Sequence, residues 1–203
     1  HTGLAQGQLL DFGCGTGDFA AYMKAQGWNV EGYEPDPDAA QQAASKGFSV
    51  HEPAMVSYLP EARYDLITLW HVLENVYHLQ DTMALLSKLL KPGGWLILAL
   101  PNRTSNDAQH YGPHWAAWDV PRHLWHFSPQ DVARLVSQYP LHMTMTEPLP
   151  LDPFFISLMS EQAKTGKKRL LPAFWQGYKS WLQGEQQPEK ASSVVYIMQK
   201  EPS

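Results

Sequence analysis

Residues 9–19, LLDFGCGTGDF, set three glycines at alternate positions between an apolar run and a segment with helical spacing. A strand that ends in a glycine-rich bend and leads into a helix puts its ligand at the carboxyl edge of an open α/β sheet. The pattern also says which ligands the bend refuses. A dinucleotide fingerprint starting at Gly13 and Gly15 needs Gly or Ala at position 18, where Asp18 stands, and no Gly-Lys-Ser or Gly-Lys-Thr follows to make a phosphate loop. Asp11 precedes the bend and Glu34 closes the next apolar run, where an acid can accept both hydroxyls of a ribose. A nucleoside with a cationic arm suits all of these features.

The rest of the first hundred residues repeats a strand-helix rhythm, which argues for βαβ units and a parallel, doubly wound sheet. Strands are expected at QLLDF, WNVEGYE, FSVHE, YDLITLW and WLILALP. Between them, DFAAYMKAQG is a helix with Phe19, Tyr22 and Met23 on one face and Gly27 as its stop, and DPDAAQQAASKG is capped by Asp36 and ended by Gly47. DTMALLSKLLKPGG is an amphipathic helix with a Pro-Gly-Gly exit. Residues 102–127 then lack any period, well past the roughly 12–15 residues at which a bare connection implies function. SPQDVARLVSQY restores a helix, LHMTMTE and SSVVYIMQK read as closing strands, and residues 152–184 between them read as two helices around the basic turn KTGKKR.

The 203-residue length fits one domain, expected to span 1–203 with insertions at 102–127 and 149–188 serving as a lid or an interface. A net charge of −5 gives no broad basic field, so a small molecule is expected as partner and nucleic acid is not. One cysteine, Cys14, excludes an intrachain disulfide, and no run reaches the length of a membrane span or a signal-peptide core. A cytoplasmic location is therefore expected. The opening at His1, without Met, leaves room for natural sequence before it.

Four stretches in fixed order resemble class I S-adenosylmethionine (SAM)-dependent methyltransferases. LLDFGCGTGDF is similar to their first motif, VEGYEPD to their second-strand acid motif, and YDLITLWHVLENV and LLKPGGWLILALPN to their fourth- and fifth-strand motifs, together spanning residues 9–102. WDVPRHLWHFS and LDPFFISLMSE are similar to a bacterial branch grouped with ubiquinone-biosynthesis-type O-methyltransferases. The resemblance implies an α/β, Rossmann-like, seven-stranded sheet in the order 3-2-1-4-5-7-6, with strand 7 antiparallel and helices on both faces. It implies SAM as cofactor, S-adenosylhomocysteine as product, and methyl transfer to a small or medium-sized acceptor, with oxygen favoured over nitrogen or carbon.

Site residues follow from the same resemblance. Gly13, Gly15 and Gly17 would let the main chain approach the methionine moiety, with Asp11, Cys14 and Thr16 in the same loop. Glu34, followed by Pro35, would hold the ribose; Ala54 and Met55 fall where adenine contacts are expected; Trp70 and His71 close the fourth strand against the cofactor. The acid-and-histidine metal set of some relatives keeps Glu74 here but has His71 and Asn75 in its other places, so no metal is implied.

Several residues admit plainer roles. Asp11 could tie down the loop instead of touching the cofactor, and Cys14 suits a small space between glycines, with no base nearby in sequence to make it a nucleophile. Trp115, Trp118, Trp125 and Tyr111 could wall an acceptor pocket, with His123 as the first candidate base and His71 the second, or His123 and Arg122 could pin the loop to the sheet. Phe154, Phe155, Phe174, Trp175, Tyr178 and Trp181 exceed what two short helices need, and could cover the site or bury a homodimer face. Two other functions stay open at this level: a SAM-binding subunit without turnover, and a dinucleotide-binding oxidoreductase, which Asp18 opposes.

Overall fold

The computed structural model of the chain describes residues 3 and 6–202. Seven strands form one sheet in the order β3-β2-β1-β4-β5-β7-β6. They are β1 (Gln8–Phe12), β2 (Asn29–Tyr33), β3 (Ser49–His51), β4 (Tyr64–Trp70), β5 (Leu90–Pro101), β6 (Leu141–Pro148) and β7 (Ser193–Lys200). β7 runs antiparallel to both its neighbours and the other pairs are parallel. Order and sense are those the resemblance implies.

Side chains alternate across the sheet, so neighbouring residues of one strand feed two different cores. Leu9 of β1 packs with Ala20 of α1 (Asp18–Ala25), Ala43 of α2 (Pro37–Ser45) and Phe48; Leu10 packs with the opposite cluster, which holds Met83 and Leu86 of α4 (Leu79–Leu89) and Val132 and Leu135 of α6 (Pro129–Val136). A four-residue helix, α3 (Pro53–Val56), follows β3. Helix starts follow local chemistry: Asp36 accepts the Ala39 N–H at 2.9 Å, and Ser128 and Asp131 form a reciprocal capping box. Gly27 and Gly47 end α1 and α2 at φ +92° and +85°, angles that suit glycine.

The shared face of α1 is only partly buried, and two expectations need correction. Tyr22 is 62% exposed, because α1 meets the sheet through Ala20, with Phe19 and Met23 half-buried beside it. β5 begins at Leu90, not at Trp95: Pro92, Gly93 and Gly94 lie within the strand, and its register against β4 slips between Tyr64 and Leu66. A Cβ on Gly94 would stand 2.8 Å from the Lys91 carbonyl oxygen and 3.1 Å from that of Tyr64, so only glycine fits this crossing. Residues 102–127 are also not structureless. Ser105 caps α5 (Asn106–Tyr111), and short 3-10 turns follow at Gly112–His114 and Ala116–Trp118.

The last two helices, α7 (Asp152–Thr165) and α8 (Leu170–Gln186), form an antiparallel hairpin between β6 and β7 in sequence. Asp107 of α5 clamps this region to the sheet. Its buried carboxylate accepts from Trp115 Nε1 at 2.8 Å, Ser180 Oγ of α8 at 2.9 Å, and Ser192 Oγ, beside β7, at 2.6 Å. Two of those bonds join segments distant in sequence, and all three meet at one side chain that is fully removed from water.

Candidate active site

The glycine bend is folded by its own main chain. The Gly13 and Cys14 N–H groups both donate to the Tyr33 carbonyl, at 2.7 and 3.0 Å, and the Gly15 N–H donates to Glu34 Oε2 at 2.8 Å. Glu34 Oε1 accepts the Asp36 N–H at 3.0 Å. Glu34 therefore shapes the loop, and each carboxylate oxygen retains a lone pair for the ribose hydroxyls assigned to it. Gly13, at φ +79°, is pressed against the loop after β4, where a Cβ would lie 2.4 Å from Val72. Gly15, at φ +53°, faces open space with no heavy atom within 4 Å of a built Cβ. Of the three glycines of the bend, Gly15 alone has room above it, and its main chain is the part that can meet a ligand.

Asp11 lies beneath this bend with its side chain buried, accepting the Thr68 hydroxyl at 2.8 Å across β1 and β4. The loop N–H groups go to Tyr33 and Glu34 instead, so its tie is to β4 and not to the loop. Burial pushes its carboxyl up from 3.8 to about 6; Thr68 opposes the rise and the Glu34 charge adds to it. Such a group gains from a nearby cation. Cys14 contributes main chain alone: its sulfur packs 2.7 Å from where a Cβ on Gly32 would stand, and burial with the Asp11 and Glu34 charges pushes the thiol up to about 12. No thiolate nucleophile is available there. Thr16 is exposed and donates to Asp18 at 3.0 Å, and Pro35 is exposed beside Glu34. Ala54 and Met55 sit exposed on α3, at the carboxyl end of β3. Trp70 stands edge-on to Phe19 of α1, ring centroids 5.1 Å apart, and its buried indole N–H has no acceptor among the described residues.

These features fit SAM. The open main chain at Gly15, two carboxylates and an unpaired indole N–H converge on the carboxyl ends of β1, β2 and β4.

Beyond Trp70 the chain turns sharply at His71, at φ +56°, and enters a second site. A cavity of about 410 Å³ opens there, lined by His71 and Pro101 from the ends of β4 and β5, by Ala116, Ala117, Asp119, Arg122 and His123, and by Asp152, Phe155, Ile156 and Met159 of α7. His71 and His123 both face it but differ in chemistry. His71 lies between two carboxylates, Nε2 3.0 Å from Asp152 and Nδ1 3.4 Å from Glu74. Burial opposes its charge, yet Asp152 and Glu74 outweigh that and push it from 6.5 up to about 10. It is an imidazolium at neutral pH. His123 instead pairs Nδ1 with the Ala117 carbonyl at 2.8 Å, which makes Nδ1 the N–H and leaves Nε2 as the basic nitrogen. Nε2 lies 3.9 Å from Asp119 and 4.0 Å from Glu74.

Glu74 is 1% exposed, and neither carboxylate oxygen has a hydrogen-bond partner among the described residues. Its Oε1 is the atom near both histidines, and its carbonyl accepts the N–H groups of Leu124 and Trp125. It thus anchors the loop and places a carboxyl group between the two rings. Asp119 and Asp152 were not singled out from the sequence. Asp152 sits in the quoted LDPFFISLMSE stretch, where Asp-Pro at a helix start reads as capping and hides a partner for His71.

The aromatic wall expected from residues 102–127 is not formed by those aromatics. Tyr111 and Trp115 are buried in a separate cluster with Ile156, Trp118 donates Nε1 to the Gly112 carbonyl, and Trp125 donates to Val76. They hold the segment in shape, and small Ala116 and Ala117 line the cavity opposite the apolar side chains of α7. Arg122 is exposed and paired with Asp119 at 3.2 Å, so it pins nothing to the sheet. His110 and His114 are exposed, and among the described residues no three His, Cys, Asp or Glu side chains group to hold a metal ion.

A glycine bend flanked by two carboxylates at the carboxyl edge of this sheet, next to a cavity lined by two histidines, is the layout of an α/β protein that binds its ligand at the strand ends. The comparison with known families makes it particular: the methyltransferase domain family matches residues 3–144, and the chain belongs to that family. SAM is accordingly its cofactor, and the dinucleotide alternative falls away. Ubiquinone biosynthesis O-methyltransferase of Burkholderia orbicola is 33% identical over 111 residues, 51% of this chain and 48% of that protein. The enzyme of that name from Burkholderia pseudomallei is 26% identical over 167 residues, 75% of this chain and 72% of that protein. The chain thus spans about half the length of the first of these relatives. A SAM-dependent methyltransferase of Thermotoga maritima shares the fold at a TM-score of 0.67 and 19% identity, over 98% of this chain and 84% of that one.

Proposed function

We propose that the chain transfers a methyl group from SAM to a hydroxyl of a small or medium-sized acceptor bound in the cavity beside His71 and His123. SAM, when bound, supplies a methyl on a cationic sulfur that a nucleophile can displace. Gly15 and its neighbours would receive the methionine part, the buried Asp11 would favour its positive charge, and Glu34 would hold the ribose. The volume of about 410 Å³ falls in the range of small-molecule pockets. Oxygen is favoured by the names of the curated relatives and by the base at hand.

The observation that carries this reading is the hydrogen bond from His123 Nδ1 to Ala117. It fixes the tautomer, so Nε2 is the atom in the cavity that can take a proton from an acceptor hydroxyl, and such a base contributes about 10²–10⁴-fold. His71, charged and lying between two carboxylates, is not the second base expected from the sequence; it braces Glu74 against α7. Labelled SAM incubated with a panel of phenols, aliphatic alcohols and amines tests the reading. Transfer to a hydroxyl that falls at least about a hundredfold in His123→Ala is the expected result. SAM binding without transfer to any extract component would favour the non-catalytic subunit, and transfer only to amines would overturn the assignment of oxygen.

A further inference from the structure

Helix α8 is built inside out. A surface helix normally turns its apolar stripe to the core and its polar residues to water. In α8 the buried positions are Ala173, Gln176, Gly177, Ser180 and Gly184, small or polar residues. Its large apolar residues face away: Leu171 is 75% exposed, Phe174 53%, Trp175 58% and Leu182 37%. The spacing 171, 174, 175, 178, 182 is one helical stripe, and Phe174, Tyr178 and Trp181 run along it with ring centroids 6.4 and 5.8 Å apart.

The inward face has its own reasons. A Cβ on Gly177 would stand 2.9 Å from the Phe154 backbone of α7, Gln176 donates to Asn106 at 2.8 Å, and Ser180 donates to Asp107. Small residues there let α8 lie close on α7 and α5. Nothing in that packing calls for aromatics on the outer face, and an exposed apolar stripe of this size marks an interaction surface.

Charge identifies the occupant. Lys164, Lys167, Lys168 and Arg169 cluster at the hairpin turn, Lys179 follows on α8, and residues 162–184 contain no Asp or Glu, within a chain whose net charge is −5. The four turn residues are exposed. Of these cations Arg169 lies 3.9 Å from Glu161, whereas Lys164, Lys167 and Lys168 form no ion pair among the described residues, so the turn keeps a net positive charge for an anionic surface. Aromatic side chains beside lysine and arginine match the interfacial layer of an anionic bilayer, where indole and phenol rings sit at headgroup level and cations meet phosphate. Among the described residues no helix is long and apolar enough to cross a membrane. The structure thus points to a peripheral site, and we infer that the outer face of α8 and the basic turn before it dock the protein on an anionic lipid surface.

Flotation of the purified chain with vesicles tests this. Wild type is expected to float with phosphatidylglycerol–phosphatidylcholine vesicles, not with pure phosphatidylcholine, and to detach in high salt as the charges are screened. Lys167→Gln with Lys168→Gln removes two cations worth roughly fivefold each, so affinity should fall on the order of 25-fold. Trp175→Ser should weaken flotation while the basic turn stays intact. Thermal shift by SAM serves as the folding control for each variant. Wild type that ignores phosphatidylglycerol vesicles would overturn the inference. So would a concentration-dependent dimer that Trp175→Ser dissociates in the absence of lipid.

Discussion

The two halves of the site are made in opposite ways. The cofactor half comes from consecutive βα units: the bend after β1, the acid after β2 and the turn after β4 meet because a parallel sheet brings strand ends to one edge. The acceptor half is gathered from residues 71–74, 116–123 and 152–159, no two of them in one βα unit. The family match covers residues 3–144 and stops before α7, which supplies Asp152, Phe155, Ile156 and Met159 to the cavity. On the proposed reading the cofactor is thus served by local geometry, whereas the acceptor is read by the packing of segments distant in sequence.

This division can be broken by experiment. His123→Ala should lower kcat by about 10²–10⁴-fold with SAM affinity unchanged in titration, as the proposed role of proton acceptor without cofactor contact requires. Loss of SAM binding in that variant would merge the halves. Asp107→Ala leaves three buried donors unpaired, and should cost about 3 kcal/mol in chemical denaturation while detaching the acceptor side from the sheet. A variant as stable as wild type would mean that the clamp holds nothing.

Gly15→Ala acts on the other half. No protein atom meets the new methyl, so backbone strain of about 1 kcal/mol is the whole effect expected on the free protein, while SAM affinity should fall at least about tenfold. Gly13→Ala, which would collide with Val72, should instead unfold the region, and the contrast separates ligand space from packing.

The smallest effect is one of pH. Asp11 titrates at about 6 in the fold and near 3.8 in the unfolded chain, so its buried protonated form stabilises the free protein fully below about pH 4. That contribution is lost as pH rises through 6, where the carboxylate forms. The same ionisation favours a bound cation, so SAM affinity should rise a few-fold across pH 6. Asp11→Asn should flatten that step and leave the free protein more stable than wild type at pH 7. A SAM titration curve flat with pH in wild type would remove Asp11 from the cofactor site.

Much of the cofactor half was legible because its signals are local. LLDFGCGTGDF reads as a strand, a bend and a helix start, Asp36 and Ser128 announce their helices, and YDLITLW falls on β4 residue for residue. Residues 102–127 gave only a list of aromatics and histidines. Nothing in their spacing tells that Trp115 would hydrogen-bond Asp107 in the interior, or that two alanines would line the cavity. The period of α8 was visible, but not which way it faced, because an apolar stripe looks the same whether it is buried or turned outward.

By itself the sequence determined the sheet, its order through family resemblance, and the position of the cofactor loop, since strand and helix periods and glycine conformations act over a few residues. Tertiary structure alone decided that His71 lies between two carboxylates while His123 gives its Nδ1 to a main-chain carbonyl. Asp152 and Asp119 reach those rings only after α7 and the 116–123 segment have folded onto the ends of β4 and β5, and the charge on an imidazole depends on what lies within a few ångströms of it.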